Sequence, residues 1–371
     1  MEVFHLISWE HILMYGVGSF LIFLAIKKRY EPAILLPMGF GTILVNLPMS
    51  GVLNQSIEGK VATEGIIQWL YHLGIESSEA FPILLFIGIG AMIDFEPLLQ
   101  RPILFFFGLA SQAGIFVAIA VAYFWGFSLK EAASIGMIGA ADGPTSILVS
   151  QILHSEYIGA ITVSAYSYMA VVPLIMPIVV KGLTSKKERQ TETVFCAKKI
   201  PRTVKIIFPI AVTLLAGFIA PMSVALIGFL MFGNLIKESG VLKTLTDTAQ
   251  NVLTNVITLF LGITISFSLR AEVFVKKETF MVMAIGLLAF VFDMVGGILL
   301  AKFFNLLLKK KINPMIGAAG ISAFPMAARV VQKMANEEKK GNVILMQAVG
   351  ANVAGQVASA MAGGLILSLF G

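Results

Sequence analysis

Apolar runs of about twenty residues, each bounded by charge, recur along almost the whole of this sequence, and they fix the solvent into which most of it folds. A helix needs about 20 apolar residues to cross the hydrocarbon core of a bilayer. No water reaches that depth, so backbone polar groups must be satisfied inside the protein, which selects helices or closed barrels. The runs fall near residues 11–26, 33–53, 82–98, 102–126, 131–153, 157–180, 203–220, 221–236, 251–269, 279–308, 314–335 and 342–370. The expected fold is therefore an all-α polytopic membrane protein with about ten transmembrane helices. Only 13% of the 371 residues are charged and 57% are hydrophobic, against roughly 25% charged in soluble domains. That balance excludes a soluble enzyme, a nucleic-acid binder and a secreted disulfide scaffold. Cys196 is the single cysteine, and His5, His11, His72 and His154 lack metal-ligand spacing, so redox and zinc chemistry are not expected. The opening MEVFHLISWEHI has an early acid and no basic n-region, unlike a cleaved signal peptide.

Charge sets the orientation. Residues 54–80 carry Glu58, Glu64, Glu76 and Glu79 against Lys60, whereas residues 181–204 hold a cluster of Lys and Arg, and Lys27, Lys28 and Arg29 follow the first helix. By the positive-inside rule the two basic stretches lie inside and the acidic one outside. Five apolar segments separate residue 30 from residue 181, an odd number, so one of them does not cross fully. The segment at 131–153 is the one expected to break, because Gly139, Asp142, Gly143 and Pro144 interrupt it and oppose a continuous helix. Irregular backbone at membrane depth is tolerated where it is buried in protein or lines a wet cavity.

An internal repeat accompanies this break. LFIGIGAMIDFEPLL at 85–99 is similar to LFLGITISFSLRAEVF at 259–274, GAADGPTSILVSQ at 139–151 to GAAGISAFPMAARVVQ at 317–332, and AYSYMAVV at 165–172 to AVGANVAG at 348–355. The charge pattern puts equivalent loops on opposite sides: 94–101 inside against 270–278 outside, and 127–130 outside against Lys309, Lys310 and Lys311 inside. The expected organisation is an N-terminal half, 1–180, holding a first repeat over about 33–180, then a basic cytoplasmic loop, 181–204, and a second, inverted repeat, 205–371. Inverted repeats whose broken helices meet near the midplane are the architecture of secondary transporters.

A carboxylate at membrane depth is costly and marks a functional position by default. Asp142 sits in the break beside Gly143, Pro144, Thr145 and Ser146, where hydroxyls and freed carbonyls surround one negative charge. Oxygen ligands of this kind suit a hard cation such as Na+. A proton, or a local helix cap, is the alternative. In the second repeat Asn313, Gly317, Ser322 and Pro325, followed by Asn352, offer oxygens for a further Na+ or for interhelical hydrogen bonds. Arg329, two turns after Ser322, is either a partner for Asp142 or an anchor for an anionic substrate. Tyr166 and Tyr168 lie in AYSYMAVVPLIMP, ahead of the helix-kinking Pro173 and Pro177, and either could relay a proton or simply pack. Asp293 is a weaker relay candidate, and Asp94 and Glu96 fall near a helix end.

The motifs GAADGPTSI, AYSYMAVVPLIMP, GNLIKESGV, INPMIGAAGISAFPMAARV and GANVAG, in this order across about residues 30–370, resemble the β subunit of the biotin-dependent, sodium-pumping decarboxylases that act on oxaloacetate, methylmalonyl-CoA, glutaconyl-CoA or malonate. The resemblance implies a translocase subunit of a bacterial or archaeal inner membrane. It would decarboxylate carboxybiotin presented by a partner, holding none covalently itself, consume a proton and export Na+. By the same resemblance Asp142 matches an essential aspartate, Tyr168 a proton-linked tyrosine, and Arg329 a functional arginine that could meet carboxybiotin. Asn313, Gly317, Ser322 and Asn352, with Asp142, match sodium-site positions. A carboxyltransferase subunit, a biotin carrier protein or domain, a small single-helix γ subunit and a homotrimeric assembly are implied partners. Two departures, Gly-Ala-Ala before Asp142 where the family has GGAD and Ala351 where it has proline, leave the oxygen ligands in place. A Na+- or H+-coupled carrier of small carboxylates is the alternative that periodicity alone leaves open.

Overall fold

The computed structural model describes residues 6–29, 31–55, 63–77, 79–193 and 199–371, the side chains of residues 55, 63 and 170 apart. His5, Glu58, Lys60 and Cys196 lie outside the described residues. The chain is helical along nearly its whole described length. The first half comprises α1 (Trp9–Lys27), α2 (Pro32–Val45), α3 (Ala80–Met92), α4 (Leu104–Phe124), α5 (Leu129–Gly136), α6 (Gly143–Ile152) and α7 (Ile158–Leu183). The second comprises α8 (Arg202–Ile219), α9 (Val224–Ser239), α10 (Lys243–Leu269), α11 (Lys277–Leu307), α12 (Met315–Ala318), α13 (Met326–Glu338) and α14 (Leu345–Phe370). Among the described residues seven helices are long and apolar enough to cross a membrane, or nine if each of two bent pairs is one span, and α2 is a shorter apolar helix. The expected count of about ten is thus approximate.

Local sequence accounts for the ends and breaks. Ser128 caps α5 by accepting from the Glu131 N–H at 3.3 Å, Pro32 and Pro144 occupy first-turn positions where a missing N–H costs nothing, and Gly240 ends α9 with φ +65°. The polar stretch after residue 54 is not all loop. Asn54–Gln55 pairs antiparallel with Thr63–Glu64, and a helix at Ile66–Glu76 meets α3 at 66°. Helix α7 bends by 69° between Met169 and Val171, one turn before Pro173, whose ring excludes the carbonyl four residues earlier.

The two halves present their elements in the same order and exchange contacts. α1 packs on α2 as α8 packs on α9, α2 on α10 as α9 on α3, and α4 on α14 as α11 on α7. The α3–α9 crossing is the closest of these in character, being backbone against backbone. A Cβ at Gly90 would run into the Leu230 carbonyl, and one at Gly233 into the Ile87 carbonyl. Beyond α7, the segment 184–193 lies against the second half. Arg189 Nε donates to Glu338 at 2.6 Å and its Nη1 to the Thr184 carbonyl at 2.5 Å. Asn313 Nδ2 donates to the Arg189 and Thr191 carbonyls, and Gln347 Nε2 to that of Thr193.

Gly90→Leu and Gly233→Leu are each expected to lower the melting temperature of the detergent-purified protein, since overpacking a close contact costs about 1–3 kcal/mol. Gly16→Ala, where an added Cβ meets nothing within 4 Å, should leave it unchanged.

Candidate functional site

The break expected at 139–144 is present. After α5 a single 3-10 turn, Met137–Ala140, leads to Ala141 with φ +51°, and α6 restarts at Gly143. Asp142, 3% exposed, stands between them. Its carbonyl accepts from the Ser146 N–H at 3.0 Å, beginning α6. Its Oδ2 receives three side-chain donors: Thr145 Oγ1 at 2.6 Å, Ser359 Oγ at 2.8 Å and Gln356 Nε2 at 2.9 Å. Two of those donors come from α14, so the carboxylate is more than a local cap. None of the three is charged.

Helix α14 also serves the second break, which runs between α12 and α13. Asn352 Nδ2 donates to the Ile321 carbonyl at 2.5 Å, and Ser322 Oγ donates to the Gly355 carbonyl at 2.8 Å. Asn352, Gln356 and Ser359 follow one another at i, i+4 and i+7, one face of a helix, and that face ties both breaks together. The Asn352 Oδ1 is buried without a hydrogen-bond partner among the described residues.

A cavity of about 220 Å³ opens beside Asp142. Asp142, Gly143, Tyr166, Ser322, Pro325 and Gln356 line it, as do Glu31, Thr254 and Thr258. Asp142 and Ser322 thus share one space. Asn352 adjoins it through Ile321, while two other expected sodium ligands lie elsewhere. Asn313 is buried and bound to the 189–193 segment, its Oδ1 accepting from the Met315 N–H. The Gly317 carbonyl accepts from Ser111 Oγ at 3.3 Å, and its backbone abuts Gly297 on α11.

The tyrosines separate clearly. Tyr168 donates to the Met283 carbonyl at 2.5 Å and is half-buried. Tyr166 is 4% exposed, lines the cavity, and carries a hydroxyl with no partner among the described residues. Its phenol end occupies the space that a Cβ at Gly143 would need. Arg329 is exposed and forms no ion pair among the described residues, Asp142 included. Asp293 supports a break in a neighbouring helix. Helix α4 unwinds at Ser111–Gln112, and Asp293 Oδ1 accepts from the Gly114 N–H at 2.6 Å where the helix resumes. Asp94 accepts from the Glu96 N–H, and Glu96 pairs with Lys205, whose ammonium holds the Glu96 carboxyl below its usual range. Neither lines the cavity.

Gln356, Ser359 and Glu31 are the residues that motif reading missed. The first two were detectable as polar positions one and two turns after Asn352 in an otherwise small and apolar helix. Glu31 lies two residues after the basic run 27–29 and reads there as one more loop charge.

Comparison with known proteins gives concordant results. Residues 10–370 match the model of the family described as Na+-transporting oxaloacetate decarboxylase beta subunit. The chain is 43% identical to the methylmalonyl-CoA decarboxylase subunit beta of Propionigenium modestum, covering 99% of this chain and 97% of that protein. It is 42% identical to the glutaconyl-CoA decarboxylase subunit beta of Acidaminococcus fermentans, covering 98% and 94%. Against the oxaloacetate decarboxylase beta chain 2 of Salmonella typhi the identity is 39%, covering 99% and 96%.

Tyr168→Phe removes the donor to Met283 and is expected to cost about 1 kcal/mol of stability, seen as a lower melting temperature. Tyr166→Phe removes a hydroxyl with no protein partner and should melt as wild type does in Na+-free buffer.

Proposed function

We infer what this protein does from one premise: the chain belongs to the Na+-transporting oxaloacetate decarboxylase beta subunit family. It is accordingly a multi-pass cell-membrane subunit of a decarboxylase complex, in which decarboxylation is coupled to Na+ export. A carboxylate carrier without chemistry is not favoured, because the full-length matches are decarboxylase subunits.

The finer reading is our proposal. The substrate is carboxybiotin, delivered by a biotin carrier that a carboxyltransferase has loaded, with a small γ subunit and further copies of this chain completing the assembly. Decarboxylation breaks the N–C bond of the carboxylated ring nitrogen, releases CO₂ and places one proton on that nitrogen. The exposed guanidinium of Arg329, without an ion pair among the described residues, suits the carboxylate of this substrate by charge and by its fork of donors. Na+ occupies the Asp142 region with Ser322 nearby. The observation that carries this reading is a buried carboxylate whose three side-chain hydrogen-bond donors are all neutral. An unpaired charge at that depth is expensive, and a cation in the adjoining cavity offsets it.

The two halves are proposed to be inverted about the membrane plane, with the segment 181–204 inside, as the basic residues require. Binding of Na+ then favours one arrangement of the helices around the breaks, and a ligand shifts such an equilibrium only by its differential affinity for the two states. Asp142 alternates between carrying Na+ and carrying a proton, with Tyr168 the other proton-bearing group proposed. The proton consumed at the biotin nitrogen links chemistry to the cation cycle.

In the reconstituted complex, Asp142→Asn should abolish Na+-stimulated decarboxylation while the protein still assembles. Full Na+-dependent activity in that variant would overturn the reading. Arg329→Ala should raise the half-saturating concentration of carboxybiotin at least tenfold with a smaller change in the Na+ requirement.

A further inference from the structure

The cavity beside Asp142 contains a second carboxylate, and no Lys, Arg or His is among the described residues that line it. Glu31 begins α2: its carbonyl accepts from the Ile34 and Leu35 N–H groups at 3.1 and 3.0 Å. Its side chain forms no hydrogen bond or ion pair among the described residues. The basic residues just before it, Lys27, Lys28 and Arg29, are exposed and do not line this space. Two acidic residues therefore line one half-open cavity, with no Lys, Arg or His among its described lining residues. An acidic pair alone is not a site, but Tyr166 supplies an independent observation. Its hydroxyl is buried, has no partner among the described residues, and lies within electrostatic reach of both Asp142 and Glu31. A buried tyrosine hydroxyl ordinarily finds a partner, and one left over at the wall of a cavity points to an occupant there. Thr254 and Thr258, one turn apart on α10, line the same cavity, the Thr254 hydroxyl donating to the Ala249 carbonyl at 2.8 Å. The volume, about 220 Å³, is far above the ~10–15 Å³ that a single water needs, so it has room for a cation with water around it.

We propose that the Glu31 carboxylate and the Tyr166 hydroxyl bind a monovalent hard cation, Na+ in this protein, at a position separate from the one on Asp142 and within the same cavity. The proposal deepens the sodium-pump reading and rests on it for the identity of the ion. Carboxylate and hydroxyl oxygens without sulfur or imidazole are the donor set of a hard cation. With both positions filled the cavity is neutral, which removes the repulsion between its two carboxylates. In the proposed orientation the basic stretch at 27–29 lies inside, which puts Glu31, two residues further on, toward the inner side.

The test is equilibrium binding of radiolabelled Na+ to the full-length protein in detergent, in choline-based buffer and without any partner subunit. Glu31→Gln is expected to bind one Na+ fewer than wild type, Asp142→Asn also one fewer, and the double variant two fewer. Glu31→Asp should restore the number at about tenfold weaker affinity, and Tyr166→Phe should weaken the same ion that Glu31→Gln removes, with no further effect in the Glu31→Gln background. Wild-type stoichiometry and affinity in Glu31→Gln would overturn the proposal, and so would a bound ion that only Asp142→Asn removes, which would leave a proton on Glu31. If Glu31→Gln yields no folded protein by gel filtration, Glu31→Asp and Tyr166→Phe decide on the same readout, and wild-type binding in both overturns it. Binding requires no catalysis, so this result can fail while Asp142 remains essential for decarboxylation, and the reverse also holds.

Discussion

Hydrocarbon supplies no hydrogen-bond partner, and an interrupted helix inside it can exist only where protein groups take over the freed backbone and any charge left in the gap. In this protein the polar face of α14 does that for two interruptions at once. Asn352 and Gly355 meet the 319–325 break, and Gln356 and Ser359 meet Asp142. The third interruption, in α4, uses a carboxylate on α11 for the same purpose. Deleting the face of α14 would leave two unwound segments and a buried charge without support, so the site's existence and the fold's integrity depend on the same few side chains. The small residues around them, in GANVAGQVASAMAGG, let other backbones approach closely enough for these bonds to form.

Much of this architecture can be read from the chain because the bilayer permits so few alternatives. Apolar length marks the helices, and Gly143 with Pro144 marks the gap in which Asp142 sits. The matching motifs at 139–151 and 317–332 mark both gaps as equivalent. The break at Ser111–Gln112 escapes this reading, because neither residue forbids a helix and the local cause is a partner 179 residues away, Asp293. The same limit applies to function. Tyr166 and Tyr168 are indistinguishable as letters, yet one faces the cavity and the other is bound to Met283. Asn313 and Gly317 share a motif with Ser322, but a motif records proximity in sequence, and a chain that unwinds between α12 and α13 sends its residues to different neighbours. Asn313 is engaged by the 189–193 segment, and Gly317 by Ser111 and α11. Glu31 is the sharpest case. Its significance arises only when α2 packs on α10 and brings the end of one half against the broken helix.

Exchange of contacts between halves explains how a site forms where neither half has one alone. Two of the three side-chain donors to Asp142 come from α14 and the third, Thr145, from α6, while Ser322 comes from the second break, Thr254 and Thr258 from α10, and Tyr166 and Glu31 from the first half. A duplicated unit that exchanged no contacts would hold two partial sites. With exchange, the Asp142 carboxylate meets donors from both halves, Thr145 from the first and Gln356 and Ser359 from the second.

The segment 184–193 makes α7 and the end of the second half one mechanical member. Arg189 grips both the C-terminus of α7, through Thr184, and the C-terminus of α13, through Glu338, while Lys302 on α11 pairs with Glu188. A shift of α13 cannot leave the end of α7 behind unless these bonds break. Helix α7 bends near its middle, and Tyr166 lies just before the bend. The strap therefore ties the end of α13, the helix that carries the exposed Arg329, to the end of α7, the bent helix whose Tyr166 lines the cavity beside Asp142.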